Sequence, residues 1–266
     1  MKADLHIHSN VSDCSDSIET VVGLAKKKGL DAIAITDHDT MSHLARIPTD
    51  SGIIVIGGVE ISAIHRKTKY RVHILGYNIK NPAVVSSLTQ PLLEARNENS
   101  EKQVRYLKQF GCQIDIDKLP RADGKYLYKQ HIMDWLVTTG QVPDMFGDFY
   151  EKTFKKGGLC AFDIEYVGVC EAIRAIKEAG GLAVLAHPGH QQNFRIIPEL
   201  VKIGLDGIEL NHHANNEKDK TKIRSYAERF GLFMTGGSDY HGKYEPHSPE
   251  IGDFLSDESG VRAILA

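Results

Sequence analysis

The sequence predicts an α/β fold in which parallel strands alternate with helices, in a barrel or a sheet, and which a mainly helical insertion interrupts. Short apolar runs alternate with helical patterns over the first third of the chain and again over its last part. From about residue 82 to residue 161 the strand signal fades, whereas helical patterns persist. Repeated strand–helix units place parallel strands side by side and cover them with helices.

Seven segments have the pattern of strands. Residues 3–9 alternate polar and apolar side chains, whereas residues 32–36 and 182–186 are almost wholly apolar, which is typical of strands covered on both faces. The predicted strands are residues 3–9, 32–36, 53–56, 71–76, 182–186, 207–210 and 232–235.

Between these strands, apolar residues recur at helical spacing, which predicts helices as the connections. Asp16 has the residue type of an N-cap for the first helix, and Gly29 stands where that helix should end. Further helices are predicted at residues 92–110, 131–139, 169–179, 196–203 and 220–230. We therefore assign residues 1–81 and 162–266 to the α/β domain and residues 82–161 to the helical insertion.

Composition excludes several classes of protein. The 266 residues carry 32 Lys and Arg against 35 Asp and Glu, a net charge of −3, which argues against binding duplex nucleic acid by bulk charge. No apolar run approaches the roughly 20 residues of a membrane span, and the N-terminus has the pattern of a strand rather than of a secretory signal. Four scattered cysteines without a C-x-x-C pair indicate a reducing compartment. We therefore expect a cytoplasmic protein.

Residues of the types that bind metal ions stand at or near the end of each predicted strand except the one at residues 207–210. Six histidines, two aspartates and one glutamate occupy these positions. They are His6, His8, Asp13, His38, Glu60, His73, His187, Asp239 and His241. Each of them alone could be a buried polar side chain with a structural role, but their recurrence at successive strand ends favours a metal site.

The spacing of these residues favours a shared metal centre. In a strand, the two histidines of His6-Ile7-His8 lie on one face about 7 Å apart at the backbone, close enough to share one ion. The carboxyl ends of parallel strands meet at one mouth of the fold, so the other ligands should converge there. Nine ligands exceed the need of one tetrahedral zinc and suit two or three ions that share a bridging carboxylate.

The charge of such a centre indicates the class of substrate. Three divalent ions would carry more positive charge than the carboxylates of Asp13, Glu60 and Asp239 neutralise, because the histidines are neutral. A net positive centre suits an oxyanion, and above all a phosphate group, whose charge it can neutralise during hydrolysis.

Five motifs resemble those of the PHP (polymerase and histidinol phosphatase) superfamily and follow the order of that family. They are Asp-Leu-His-Ile-His-Ser at 4–9, Thr-Asp-His-Asp at 36–39, Gly-Val-Glu-Ile-Ser at 58–62, Ala-His-Pro-Gly at 186–189 and Gly-Gly-Ser-Asp-Tyr-His-Gly at 236–242. The chain is most similar to stand-alone bacterial members that act on 3',5'-bisphosphorylated nucleotides, some of which also trim RNA ends. The resemblance implies a distorted (β/α)7 barrel with three divalent ions of Mn, Fe or Zn.

The resemblance also implies how the ligands are shared between the ions. The first ion would be held by His6, His8, Glu60 and Asp239. Glu60 would bridge to a second ion, which His73 and His187 complete, and the third would be held by Asp13, His38 and His241. Among these ligands we expect Glu60, Asp239 and His187 to be the catalytic residues.

The resemblance is weaker in the helical insertion. The family often has Arg-Pro-His there, with the Arg and the His on substrate phosphate, whereas this chain has Lys129-Gln130-His131. We expect Lys129 and His131 to bind substrate phosphate. A lysine at this position offers a point charge in place of the planar guanidinium of arginine. The alternative for Lys129 is a solvated lysine on the surface. His212, after the sixth strand, is either a further substrate contact, which we favour, or a loop cap.

These features predict a metal-dependent phosphoesterase. It would hydrolyse phosphate monoesters of small nucleotides, either 3',5'-bisphosphorylated nucleotides or RNA 5' ends, with a metal-bridging hydroxide, and the insertion would make the barrel mouth a pocket. A histidinol-phosphate phosphatase or a general phosphomonoesterase is an alternative, because a metal centre does not read what the phosphate is attached to. A hydrolase of C–N bonds and a non-catalytic metal-binding module fit the motifs less well. The sequence leaves the native metal and the oligomeric state open.

Overall fold

Nine strands and nine α-helices are found in residues 1–155, 157–245 and 249–265, which are the residues described by a computed structural model. The strands are β1 (Ala3–Ile7), β2 (Ala32–Ile35), β3 (Ile54–Gly57), β4 (Val59–Ile64), β5 (Arg71–Tyr77), β6 (Val167–Gly168), β7 (Leu182–Leu185), β8 (Gly207–Asn211) and β9 (Phe233–Gly236). The helices are α1 (Ile18–Lys27), α2 (Pro82–Gln109), α3 (Lys129–Thr138), α4 (Asp148–Phe154), α5 (Val169–Glu178), α6 (Pro188–Gln191), α7 (Ile197–Ile203), α8 (Glu217–Phe230) and α9 (Glu258–Leu265).

The strands form two sheets. One has the order β1-β2-β3 and the other the order β6-β4-β5-β7-β8-β9. Strand β5 runs antiparallel to both of its neighbours, β4 and β7, whereas the other pairs are parallel. The expectation of seven parallel strands is therefore wrong, because β4 and β6 are additional strands and the short connection at residues 65–70 can join only antiparallel neighbours. Glu60 consequently lies within β4 and not at the end of the third strand.

Backbone hydrogen bonds join the two sheets on both sides. On one side, the N–H of Gly58, between β3 and β4, donates to the carbonyl of Ile35, the last residue of β2, at 2.8 Å. On the other side, the Asp239 N–H donates to the His6 carbonyl of β1 at 2.8 Å. The α/β class predicted from the sequence is confirmed, and two sheets linked in this way are consistent with a distorted barrel.

Helix α1 shows how the loops at the strand ends are fixed. Its N-cap is Ser17, whose side chain accepts the Thr20 N–H, and not Asp16 as the sequence suggested. The Asp16 carboxylate instead accepts a hydrogen bond from the Tyr240 hydroxyl at 2.6 Å. The loop after β1 is thereby tied to the loop after β9, so that two segments carrying predicted ligands are held together.

The largest apolar core lies between the six-stranded sheet and helices α5 and α7. Ile61 of β4 and Ile74 of β5 pack in the same buried cluster as Ile173 and Ile176 of α5 and Leu200 of α7. The buried positions of α5 recur at helical spacing, which places one apolar face of the helix on the sheet. This packing fixes the strands that carry Glu60, His73 and His187.

The described residues between 82 and 161 form helices and turns around a second apolar cluster, which Tyr244 joins from outside this range. Leu107 of α2 packs there with Leu127 and with Ile132, Met133 and Leu136 of α3. Helix α2 starts ten residues before the predicted helix at 92–110 and continues through Pro91, with Pro82 at its first turn, where the missing N–H has no cost. The domain boundaries at 81/82 and 161/162 stay a prediction. In the described ranges, no helix is both long and apolar enough to cross a membrane.

Candidate metal centre and its cavity

The structure brings all nine predicted metal ligands into one region. His6 lies in β1, Glu60 in β4 and His73 in β5, while the others stand in the segments that follow β1, β2, β7 and β9. Their nitrogen and oxygen atoms fall into three neighbouring clusters. These are His6, His8, Glu60 and Asp239; His38, Glu60 and His73, with His187 also against Glu60; and His8, Asp13, His38 and His241.

The first cluster has the dimensions of one coordination shell. His6 Nε2 lies 3.3 Å from His8 Nε2, 3.3 Å from Glu60 Oε2 and 3.2 Å from Asp239 Oδ1. His8 Nε2 lies 3.2 Å and 3.1 Å from the same two oxygens. Ligands that bind a tetrahedral ion at about 2.0 Å are themselves about 3.3 Å apart. The four atoms could therefore share one ion without a large movement.

Glu60 lies at the centre of the region with 1% of its side chain exposed. Its Oε1 is 2.8 Å from His73 Nδ1 and 2.9 Å from His187 Nε2, while its Oε2 is 3.2 Å from His38 Nδ1. Burial would raise the pKa of this carboxyl, but the imidazoles of His38, His73 and His6 hold it well below its usual range. One ionised carboxylate thus faces imidazoles on two sides, as a bridging ligand must.

The cluster around Asp13 has longer separations. Asp13 Oδ1 is 3.5 Å from His241 Nε2 and 3.8 Å from His8 Nδ1, and Asp13 Oδ2 is 4.0 Å from His38 Nε2. Burial acts to raise the pKa of Asp13, but the imidazoles of His38, His241 and His8 together hold it below its usual range. The His241 Nδ1–H donates to the Asp239 carbonyl at 2.8 Å, which leaves Nε2 as the nitrogen available to a metal ion.

These donor atoms fit divalent metal ions. His6 Nδ1 is 3.1 Å from Glu209 Oε1, so Nε2 is the nitrogen that faces the oxygens of Glu60 and Asp239. A cation among these atoms, either a proton on the imidazole or a metal ion, offsets the negative charge of the carboxylates. His8 Nδ1, Asp13 Oδ1 and Glu60 Oε2 are buried without a hydrogen-bond partner among the described residues. Imidazole and carboxylate donors suit Zn, Mn and Fe alike.

Three residues beside the clusters have left-handed backbone conformations. The φ angles are 61° at Asp39, 24° at His187 and 54° at Asp239. Such conformations cost on the order of 1–3 kcal/mol each for residues other than glycine. They are held by hydrogen bonds, from the His187 N–H to Glu209 Oε2 at 2.8 Å and from the Asp239 N–H to the His6 carbonyl at 2.8 Å. The backbone is strained where it presents proposed ligands.

Two buried carboxylates that the sequence did not single out hold the ligand-bearing segments. Glu209 contacts His6 and His187, as described above. Asp37 accepts the Ser9 N–H at 2.8 Å and the hydroxyls of Ser9 and Ser12, each at 2.7 Å, and so fixes the loop that leads to Asp13. A signal for Glu209 was present, because it is a charged residue between two buried apolar neighbours in β8.

Two of the predicted substrate contacts do not line the cavity. His131 is 3% exposed, its Nδ1 accepts the Tyr128 N–H at 3.2 Å, and burial lowers its pKa to about 4. His212 is fully buried, and its Nδ1 accepts the Ala214 N–H at 3.1 Å. Its Nε2–H therefore points to Asp239 Oδ2, 3.3 Å away. Neither imidazole lines the cavity, since each holds its own surroundings, and the expectation that they contact substrate phosphate stays a prediction.

A cavity of about 820 Å³ opens onto the clusters. Its wall includes Asp13, His38, Glu60, His73 and Asp239 from the candidate centre, together with residues of the helical segment. Among the described residues, five lysines and arginines also line it. They are Lys69, Arg71, Arg96, Lys129 and Lys155. The cavity therefore combines the candidate metal ligands with basic side chains, and the carboxylates of Glu151, Asp163 and Glu245 line it as well.

Similarity to known proteins agrees with this geometry. The family model of the PHP domain matches residues 4–181. The chain belongs to the PHP-domain family. A phosphoribosyl 1,2-cyclic phosphate 1,2-diphosphodiesterase from Eggerthella lenta is 39% identical over 259 residues, which are 95% of this chain and 98% of that protein. A 3',5'-nucleoside bisphosphate phosphatase from Chromobacterium violaceum is 29% identical over 250 residues, 90% of this chain and 86% of the relative.

A solved structure extends the match to the fold. The crystal structure of a Bifidobacterium adolescentis protein assigned to the metal-dependent phosphoesterases superposes with a TM-score of 0.88 at 29% identity, over 99% of this chain and 95% of that one. The predicted PHP membership is confirmed, and with it the prediction of a hydrolytic enzyme, a metal-dependent phosphoesterase. Metal dependence in this family implies a divalent ion at the clusters described above.

Replacing Glu60 by Gln should remove bound metal and phosphoesterase activity together. The amide is uncharged and has one oxygen in place of two, so it cannot face both groups of imidazoles as an anion. We expect activity toward p-nitrophenyl phosphate with added Mn²⁺ to fall by roughly 100-fold or more, with less metal per chain by elemental analysis. Glu199→Gln, at a half-exposed carboxylate that contacts His65 and Lys67, is the matched control. Full activity and metal content in Glu60→Gln would refute the bridging assignment.

Proposed function

We propose that this enzyme hydrolyses a phosphate ester of a small ribose compound that carries a second phosphate group. The observation that carries the proposal is the meeting of two features in one cavity. Three ligand clusters, linked through Glu60, His8 and His38, line it on one side, and lysines and arginines contribute to the rest of its wall. A substrate with one phosphate at the ligand clusters and a second phosphate at the basic side chains would match both parts of the cavity wall.

The nine ligands would hold three divalent ions, of Mn, Fe or Zn, in the three clusters. Ions in this arrangement neutralise the oxygens of a phosphoryl group and lower the pKa of water near it. Glu60 would keep two of the sites at a fixed separation, because its two oxygens face different imidazoles 2.8–3.3 Å away. Asp239 and His187 would act as metal ligands close to the phosphate that is hydrolysed. Each is held in place by a hydrogen bond that its backbone N–H donates.

Arg96 and Lys129 are the side chains best placed to bind the second phosphate. Arg96 of α2 lines the cavity with its guanidinium fixed by Asp39 Oδ2 at 2.6 Å and Ser62 Oγ at 3.2 Å, over the Tyr128 ring. An arginine held by a carboxylate keeps its remaining N–H groups oriented toward a ligand. Lys129 begins α3 and also lines the cavity. Arg96 would offer the second phosphate a planar guanidinium with several N–H donors, and Lys129 would offer it an ammonium group.

Two compounds meet this description. The Eggerthella lenta relative is named for a phosphoribosyl 1,2-cyclic phosphate, and its similarity over 95% of this chain makes such a sugar phosphate our first candidate. The Chromobacterium violaceum relative is named for 3',5'-nucleoside bisphosphates. Aromatic side chains in the cavity wall, among them Tyr70, Tyr150 and Tyr166, favour this second candidate because they offer faces on which a base could stack. A short RNA 5' end would be a larger version of the same substrate.

Substrate turnover by the Mn-loaded protein, followed by chromatography of the products together with phosphate release, tests the proposal. The compounds to compare by kcat/KM are 5-phosphoribosyl 1,2-cyclic phosphate, 3'-phosphoadenosine 5'-phosphate, AMP, histidinol phosphate and a 5'-phosphorylated RNA oligonucleotide. We expect the first two to exceed AMP and histidinol phosphate by at least about tenfold, because AMP and histidinol phosphate each carry a single phosphate ester. A lead for histidinol phosphate, or a flat profile, would retain the phosphoesterase and overturn the ribose substrate.

Substitution of Lys129 tests the second phosphate site. Lys129→Ala should raise KM for the preferred substrate by roughly 10-fold and leave the metal content unchanged, since no cluster includes this residue. Burial lowers the pKa of Lys129 to about 8, with Lys155, Arg96 and Arg71 acting in the same direction and Asp163 against them. The cation is therefore lost as pH rises through about 8, and KM should rise there.

Lys129→Arg is the matched control for this pH dependence. Its guanidinium stays charged above pH 8, so the rise in KM that depends on Lys129 should disappear while binding near neutral pH is kept. An unchanged KM in Lys129→Ala, or the same alkaline rise in both Lys129→Arg and the wild-type protein, would place Lys129 outside the phosphate site.

A further inference from the structure

Glu209 is a fully buried carboxylate within reach of the candidate metal centre that has no place in the predicted ligand set. It lies in β8 between Ile208 and Leu210, which are also buried. A buried ionised side chain is costly unless it is fully hydrogen-bonded. The hydrogen-bond partners of Glu209 therefore indicate the role of this carboxylate in the structure.

Both oxygens of Glu209 hold residues that are proposed ligands. Oε1 is 3.1 Å from His6 Nδ1, and Oε2 accepts the backbone N–H of His187 at 2.8 Å. His6 belongs to β1 in the three-stranded sheet, whereas His187 follows β7 in the six-stranded sheet. One carboxylate thus connects ligands that come from different sheets.

The contact with His6 fixes which nitrogen faces the metal site. With Nδ1–H donating to Glu209, a metal-bound His6 would use Nε2, which is the atom 3.3 Å from Glu60 Oε2 and 3.2 Å from Asp239 Oδ1. Carboxylate partners of this kind orient a histidine ligand and increase its basicity. Loss of the carboxylate would free the ring to rotate and to change tautomer.

The contact with His187 fixes a strained backbone. His187 has a φ of 24° and stands directly before Pro188, the first residue of α6. Its N–H is directed at Glu209 Oε2, and this hydrogen bond opposes relaxation to an ordinary backbone conformation. The position of the imidazole, with Nε2 2.9 Å from Glu60 Oε1, depends on that backbone.

We propose that Glu209 is a positioning residue of the metal centre, which sets the tautomer of His6 and the backbone of His187 without binding metal itself. The inference rests on the proposed metal centre and concerns how that centre is held. Glu209→Gln is the informative substitution, because a carboxamide has one acceptor oxygen for two N–H donors and must lose one of the two contacts. Glu209→Asp keeps the charge but shortens the side chain, and provides a second variant.

The matched control is Asp206→Asn. Asp206 Oδ2 accepts the Ala183 N–H at 2.8 Å, so this carboxylate also holds the backbone of β7, but at the end of the strand away from His187. Zn²⁺ and Mn²⁺ affinities would be measured by competition with a chelator on the purified full-length chain. Long-range ¹H–¹⁵N spectra of the Zn-loaded protein would report the histidine tautomers, and thermal unfolding of the metal-free protein would report stability.

We expect Glu209→Gln to weaken metal binding by about 10–100-fold, to change the His6 signals and to lower kcat more than it raises KM. Glu209→Asp should show a smaller effect in the same direction, and Asp206→Asn should keep the metal affinity of the wild-type protein. Wild-type metal affinity and an unchanged His6 tautomer in Glu209→Gln would overturn the inference. Equal loss of metal in Glu209→Gln and Asp206→Asn would also overturn it, since general destabilisation would then suffice. Failure of the wild-type protein to bind metal would instead overturn the proposed centre.

Discussion

The buried charge of Glu60 is the constraint on which the rest of the site depends. A carboxylate with 1% exposure can stay ionised only if positive charge or hydrogen-bond donors replace the water it has lost. In this chain that compensation comes from imidazoles on β1, β5 and the segments after β2 and β7. The strands must therefore converge on β4, and the apolar packing of α5 and α7 behind the six-stranded sheet holds β4, β5 and β7 in place.

The sequence could predict that the candidate ligands converge, because spacing along a strand and the alternation of strands and helices bear on it. His6 and His8 are two residues apart and share a face, and the carboxyl ends of parallel strands share an edge, which brings together the segments after β1, β2, β7 and β9. Strand direction could not be predicted in the same way. The spacing from Ile64 to Arg71 permits a hairpin, but apolar periodicity contains no direction, so neither β4, which holds Glu60, nor the reversal of β5, which holds His73, was predicted.

The roles of single polar residues were harder to predict, because they depend on partners far apart in the chain. Glu209 and His6 are 203 residues apart, and no local pattern connects them. His131 and His212 have the residue type of phosphate ligands, and no local pattern shows that the Nδ1 atom of each accepts a backbone N–H, from Tyr128 and Ala214 respectively. Arg96 was not singled out, since an arginine on a long polar helix is usually solvated. Only the fold brings it to Asp39 and the cavity.

The candidate centre and the helical segment divide the work of the enzyme between them. Ligands on the strands act on a phosphoryl group and are indifferent to the rest of the molecule, so they can serve a cyclic sugar phosphate and a nucleotide equally well. Discrimination must then come from groups that contact the second phosphate and the ring or base. In this chain those groups, Arg96, Lys129 and the tyrosines near them, stand largely on α2 to α4. The departure from the family pattern at Lys129-Gln130-His131 lies in the same segment, where a change alters substrate choice and leaves the metal ligands intact.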